Sequence, residues 1–237
     1  QSTVCFPITQ AREQASVEVS KESSAGMENR RTSVGQFDMI PQSLPKLHRS
    51  EFTLGILAGG SGIRAGQRDK GLMVANGRTL LQRSLEAYGT GFNEVIACCR
   101  DNAWFYSQFS NRVLCDVKSG QGPLQGLSAL LSATETTYLA VLPCDQYSLS
   151  PNWFEQLSSA LSPTVKGVFA VDEGRHTPCC VLHRDAQLQI NTLLQQGKRS
   201  LMALLDCDGL ELMTVPGAGM DIDHTQTLQS NFQSPEP

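Results

Sequence analysis

Residues 53–70, TLGILAGGSGIRAGQRDK, constrain this chain more than any other stretch. The run 53–58 is apolar and of strand length, and Gly59-Gly60 stops it abruptly. The loop that follows carries Gly59, Gly60, Gly62 and Gly66, with Arg64, Arg68 and Lys70 among them. A glycine backbone has no Cβ, so its N–H groups can approach an anion closely. Arginine and lysine add charge where phosphate oxygens would sit. Taken alone, these residues suit either a phosphate cradle or an ordinary tight βα turn with a solvated basic rim. Two familiar fingerprints do not fit. A P-loop carries Ser or Thr after its lysine, and Lys70 is followed by Gly71. The dinucleotide pattern G-x-G-x-x-G is out of register, because Gly60-x-Gly62 meets Ala65 where the third glycine belongs. A nucleotide bound here belongs to a loop of another class.

From Thr53 onward the chain alternates short apolar runs with helical periodicity. That pattern predicts a single three-layer α/β domain of Rossmann-like type, a mostly parallel sheet covered on both faces. Thr79 caps a helix with Leu80, Leu81, Leu85 and Tyr88 on one side. Further strands are expected at 94–98, 112–115, 138–142, 167–171, 179–183, 210–215 and 220–222. Helices are expected at 102–109, 124–133, from Pro151, at 187–196, 201–205 and 225–231. Residues 1–50 differ: they are rich in Gln, Ser, Glu and Arg and lack sustained periodicity, the composition of a solvated extension without regular structure. A segment from Phe37 to Leu47 with Met39, Ile40 and Leu44 offers a way for it to dock. The expected organisation is an extension at 1–50, a domain at 51–232 and a tail at 233–237.

Composition excludes several classes. The net charge of −4 argues against a nucleic-acid binder, which needs a basic face. No apolar run approaches the length of a membrane span, and no secretory h-region is present. The eight cysteines include the adjacent pairs Cys98-Cys99 and Cys179-Cys180, but no C-x-x-C and no zinc spacing. Several sit in apolar strand contexts, where a thiol acts as a small hydrophobe. The reading is a reduced, cytoplasmic protein.

In an open α/β sheet, ligands sit outside the carboxyl ends of the strands. Four carboxylates are expected there: Asp116, Asp145, Asp221 and Asp223. Any one alone is more often a helix N-cap or turn former than a ligand. Asp145 stands out, since it follows a buried strand and Pro143 and would emerge at its rim. Mg²⁺ is held by one or two carboxylates plus phosphate oxygens, so Asp145 suits a metal facing a triphosphate. Asp221 and Asp223 alternate on a strand and point the same way, so one of them could complete that site. An exposed strand face explains them as well.

The run L-A-G-G-x-G-x-R-x-G-x-x-D-K-G, Leu57 to Gly71, resembles the signature loop of the MobA-like nucleotidyltransferases, and among them the molybdenum cofactor guanylyltransferases. The resemblance extends to Asp116 with Gly122-Pro123-Leu124-Gln125-Gly126, and to Pro143-Cys144-Asp145. The family's N-x-N-T-P motif aligns with Asp221-Ile222-Asp223-His224-Thr225, where both asparagines are aspartates as in the cytidylyl branch. Ala65 replaces the usual Met, and Ala97 an asparagine.

The resemblance implies a nucleotide-diphospho-sugar transferase type of fold, GTP and Mo-molybdopterin as substrates, Mg²⁺ as cofactor, and molybdoenzyme apoproteins or insertion chaperones downstream. It assigns phosphate neutralisation to Arg64 and Lys70, and oxygen binding to the backbone of Ala58, Gly59 and Gly60. It also gives metal binding to Asp145 with Asp223, the nucleoside to Asp116, and walls for the base to Leu57 and Pro123. Arg175, His176, Lys198 and Arg199 could meet the second substrate's phosphate, or form solvated basic turns. Competing readings are cytidylyl transfer to the same pterin, nucleotidyl transfer to a sugar phosphate, and a non-catalytic binding homologue. Cys144 reads as a buried structural thiol rather than a nucleophile.

Overall fold

The computed structural model describes residues 5–7, 46–58, 69–115, 122–219 and 232–233, and the statements below concern those residues. In chain order the strands are β1 (Cys5–Pro7), β2 (Phe52–Ala58), β3 (Val74–Ala75), β4 (Arg78–Thr79), β5 (Glu94–Cys99), β6 (Arg112–Cys115), β7 (Tyr138–Pro143), β8 (Gly167–Asp172), β9 (Arg175–His183), β10 (Leu210–Thr214) and β11 (Phe232–Gln233). The helices are α1 (Leu80–Tyr88), α2 (Ala103–Tyr106), α3 (Pro123–Ala133), α4 (Trp153–Ser159), α5 (Ala186–Gln195) and α6 (Met202–Leu205). Eight strands form one sheet in the order β1-β6-β5-β2-β7-β9-β8-β10. Only β9 runs antiparallel to its neighbours; the other pairings are parallel. This is the mostly parallel α/β fold expected from the sequence.

Side chains alternate across a strand, so a strand covered on both faces needs apolar residues at every position. β2 comes close: residues 52–56 are all buried, and the one polar side chain among them, Thr53, is hydrogen-bonded to Thr136. One layer joins Leu54, Ile56, Ala140 and Leu142 to Leu81 of α1, Phe105 and Tyr106 of α2, and Trp153 and Phe154 of α4. The other joins Ile96, Leu139, Val141 and Phe169 to Leu124 and Leu127 of α3, Ile190 of α5 and Leu204 of α6. The adjacent cysteines obey the same rule. Cys99 and Cys179 lie in the first layer, and Cys98 and Cys180 in the second.

The structure departs from expectation where side chains override local pattern. α2 covers only four residues, because Asn102 adopts a left-handed conformation (φ 58°) and Ser107 closes the turn. β9 begins at Arg175 instead of 179. Glu173 and Gly174, both at positive φ, make a two-residue hairpin turn after β8. Pro178 has no N–H to donate, and the register shifts there while Thr177 Oγ1 reaches the Ala170 carbonyl at 3.4 Å. β3 and β4 form a hairpin about Asn76-Gly77, joined antiparallel by β11. The expected elements at 220–222 and 225–231 lie outside the described residues. Among the described residues, no helix is long and apolar enough to cross a membrane.

Packing begins before residue 51. Leu47 rests on the core, and a short 3₁₀ turn spans Arg49–Glu51. Further back, the extension contributes β1 to the edge of the sheet beside β6. The Arg49 guanidinium lies 5.4 Å from the Phe92 ring and 5.3 Å from the Phe154 ring, and pairs with Glu155 at 3.3 Å. We expect Arg49→Ala to cost about 1–2 kcal/mol, one ion pair plus the cation–π contacts with the two rings. Urea unfolding monitored by circular dichroism would measure it, and an unchanged midpoint would show that the segment is not part of the folding unit.

Candidate active site

The glycine-rich loop leaves the carboxyl end of β2 in the middle of the sheet. Register places Leu57 opposite Pro143 of β7 and Ala58 opposite Cys99 of β5. The Cys144 N–H donates to the Leu57 carbonyl at 3.0 Å, which is the last tie before β7 turns away. Asp145 follows at once, only 7% exposed. The chain returns from the loop at Asp69 and enters a 3₁₀ turn, Lys70–Leu72. Lys70 Nζ reaches Asp145 Oδ2 at 3.0 Å. A carboxylate this deep is costly without a counter-charge, and the ammonium supplies one.

The turn carrying Lys70 is itself tied down. Asp69 Oδ1 accepts from the Gly71 N–H at 3.0 Å and from the Tyr106 hydroxyl at 2.6 Å. Its Oδ2 accepts from Asn102 Nδ2 at 3.0 Å. A Cβ at Gly71 would stand 2.4 Å from the Tyr106 hydroxyl oxygen, so only glycine lets the ring come under the turn. Burial, with Cys144 and Asp69 nearby, pushes the Tyr106 hydroxyl well above the ordinary phenol range, so it remains a donor at neutral pH. Burial, then the Asp145 and Asp69 charges, also raise the Cys144 thiol. Cys144 is buried, as its sequence context suggested.

α3 opens at the same rim. Pro123 takes its first position, exposed and suited by its fixed φ. Gly122 has φ 76°, and a Cβ there would lie 2.6 Å from the Arg199 carbonyl oxygen. That carbonyl accepts from the Leu124 N–H at 3.2 Å, which seats the exposed Lys198-Arg199 pair beside the helix start. Arg175 and His176 are exposed at the start of β9, next to the β8–β9 turn, at the same edge of the sheet. A second anchor holds residues 215–219. Gln146 Nε2 donates to the Gly217 carbonyl at 3.0 Å, and the Gly217 N–H donates to Asp172 at 3.0 Å.

The structure thus brings Lys70 and Asp145 into contact, and puts Leu57, Ala58 and Pro123 on the same rim. Arg64, Gly59, Gly60, Asp116, Asp221 and Asp223 lie outside the described residues. Among the described residues no cluster of three His, Cys, Asp or Glu could hold a metal. The Asp145 carboxylate at the end of β7 does fit Mg²⁺, which is held by one or two carboxylates and takes its other ligands from phosphates and water. Sequence reading missed Asp69, Tyr106 and Asn102 as site residues. Asp69 was visible only as a letter of the D-K-G motif.

The model of the MobA-like NTP transferase domain matches residues 54–210. The chain belongs to this family. A molybdenum cofactor guanylyltransferase of Yersinia pestis (strain Pestoides F) is 30% identical over 152 residues, covering 64% of this chain and 78% of that protein. The guanylyltransferase of Yersinia pseudotuberculosis serotype O:3 (strain YPIII) matches to the same extent. Among solved structures, molybdopterin-guanine dinucleotide biosynthesis protein A from Archaeoglobus fulgidus superposes with TM-score 0.62 at 19% identity, over 76% of this chain and 96% of that one. The 2-C-methyl-D-erythritol 4-phosphate cytidylyltransferase of Thermus thermophilus shares the fold at TM-score 0.55 and 14% identity, over 75% of this chain and 95% of that one.

Because its thiol is buried and held protonated, Cys144 should resist alkylation by iodoacetamide in the folded protein. Cys144→Ala should keep nucleotide binding within about threefold, the scale of a small core change. Rapid native labelling of Cys144, read by mass spectrometry, would contradict a structural role.

Proposed function

We propose that this protein is a molybdenum cofactor guanylyltransferase, moving GMP from GTP to the terminal phosphate of Mo-molybdopterin and releasing pyrophosphate. The observation that carries this reading is the Lys70–Asp145 pair, 3.0 Å apart, which joins the turn after the glycine-rich loop to the end of β7, the neighbour of the strand that feeds that loop. A cation and a carboxylate poised there suit a triphosphate and its metal, and the named relatives point to guanine.

A phosphate monoester is largely ionised at pH 7, so the attacking oxygen needs no strong general base. The barrier lies in alignment and in repulsion between anions. When the triphosphate enters, the Lys70 ammonium moves from Asp145 to the phosphate oxygens. There it would offset charge on the departing pyrophosphate. The pterin phosphate oxygen forms its bond to the α-phosphorus as the bond to the pyrophosphate oxygen breaks. Asp145, released from Lys70, would hold Mg²⁺, with Asp223 as the second carboxylate. The bound ion supplies Lewis-acid polarisation of the phosphoryl group. Arg64 and the backbone of Ala58, Gly59 and Gly60 would cradle the phosphates. Asp116 would fix the nucleoside, while Leu57 and Pro123 would flank the base.

One observation favours a second reading: Asp221 and Asp223 replace the asparagines of the guanylyl branch. Calorimetry with GTP, CTP and ATP in the presence of Mg²⁺ separates the two. GTP should bind best, and Asp145→Ala should abolish the Mg²⁺ dependence of that binding. Lys70→Ala should slow pterin turnover about a hundredfold or more, the usual cost of one preorganised charge partner. Preference for CTP would move the chain to the cytidylyl branch. Absence of binding to any of the three would end the transferase reading.

A further inference from the structure

We propose that Tyr106 and Asn102 are positioning residues that act through Asp69 to hold Lys70 at the phosphate-binding edge of the sheet. The inference deepens the reading above and rests on it for the role of Lys70. Its geometry stands apart from that reading.

Three observations carry it. The Asp69 carboxylate accepts three hydrogen bonds, from Tyr106, Asn102 and the Gly71 N–H, so three of its roughly four acceptor positions serve this one turn. Two of those donors come from the segment that follows β5, more than thirty residues on, so the clamp joins the loop's exit to the body of the sheet. Asn102 stands at the N-cap of α2, where asparagine ordinarily bonds its own helix, yet it makes no side-chain cap bond. Its amide is spent on Asp69 instead, and its left-handed backbone (φ 58°) sets that direction. Asparagine tolerates this conformation better than most residues, and strain of this kind gathers at functional sites.

The arrangement has a mechanical sense. Lys70 follows Asp69 directly and must exchange Asp145 for phosphate when nucleotide binds. A long lysine side chain loses much freedom when fixed, so a rigid Cα shortens the search between the two partners. Tyr106 lies between Asp69 and Cys144, and Cys144 directly precedes Asp145, so one buried ring braces both halves of the ion pair.

The test reads Lys70 without nucleotide. In the full-length protein, the rate at which an amine-reactive acetylating reagent modifies each lysine is followed by mass spectrometry. Tyr106→Phe and Asn102→Gly, the latter keeping the left-handed backbone, should each speed labelling of Lys70 about tenfold, the scale of one hydrogen bond to a charged acceptor. Lys46 and Lys166, remote from the clamp in sequence, should label at their wild-type rates. Unchanged Lys70 labelling in both variants would overturn the proposal. So would equal acceleration at every lysine, which is general loosening. In GTP turnover the same variants should lower kcat about tenfold and leave the pterin KM unchanged, with no further loss in a Lys70→Ala background. Independent, multiplying losses there would also overturn it. If the wild-type protein turns over no nucleotide, the transferase reading falls while lysine labelling still decides the clamp.

Discussion

Lys70 and Asp145 are separated by 75 positions in the chain, and the structure brings their charges to 3.0 Å. Much of the fold can be understood as the means of holding that distance. The pair needs β2 and β7 side by side and in register, so that the glycine-rich loop and the Pro143-Cys144-Asp145 turn leave the sheet together. It needs the Asp69 clamp, so that the loop returns at the right height. It also needs the apolar layers on both faces, because a carboxylate this deep is tolerable only where its counter-charge cannot drift away.

An ammonium and a carboxylate 3.0 Å apart offset one another's charge, which lowers the cost of burying either of them at the strand ends.

The sheet was legible in the sequence because burial on two faces writes an unbroken apolar run, as in residues 138–142, and glycines and prolines mark where it stops. Lys70 and Asp145 were legible because each sits in a short local pattern, D-K-G and P-C-D. The clamp was not, because it depends on Asn102 and Tyr106 meeting Asp69 across tertiary space, 33 and 37 positions away. Read locally, residues 102–109 suggest only a helix, and Asn102 does stand at the start of the short one that forms. The strand expected at 179–183 begins four residues earlier, at Arg175, and runs through Pro178 on a bulge. Residues 1–50 carried no period, and a three-residue edge strand is too short to write one.

The adjacent cysteines carry a consequence of their own. Neighbouring positions on a strand face opposite sides of the sheet, so Cys98 and Cys99, like Cys179 and Cys180, are sunk in separate cores with the strand backbone between them. A vicinal disulfide would require both sulfurs on one side, and hence the local collapse of a central strand. An oxidant acting on the folded protein therefore has no route to such a bond. The two doublets, which on paper invite redox chemistry, are shielded from it by the geometry that buries them.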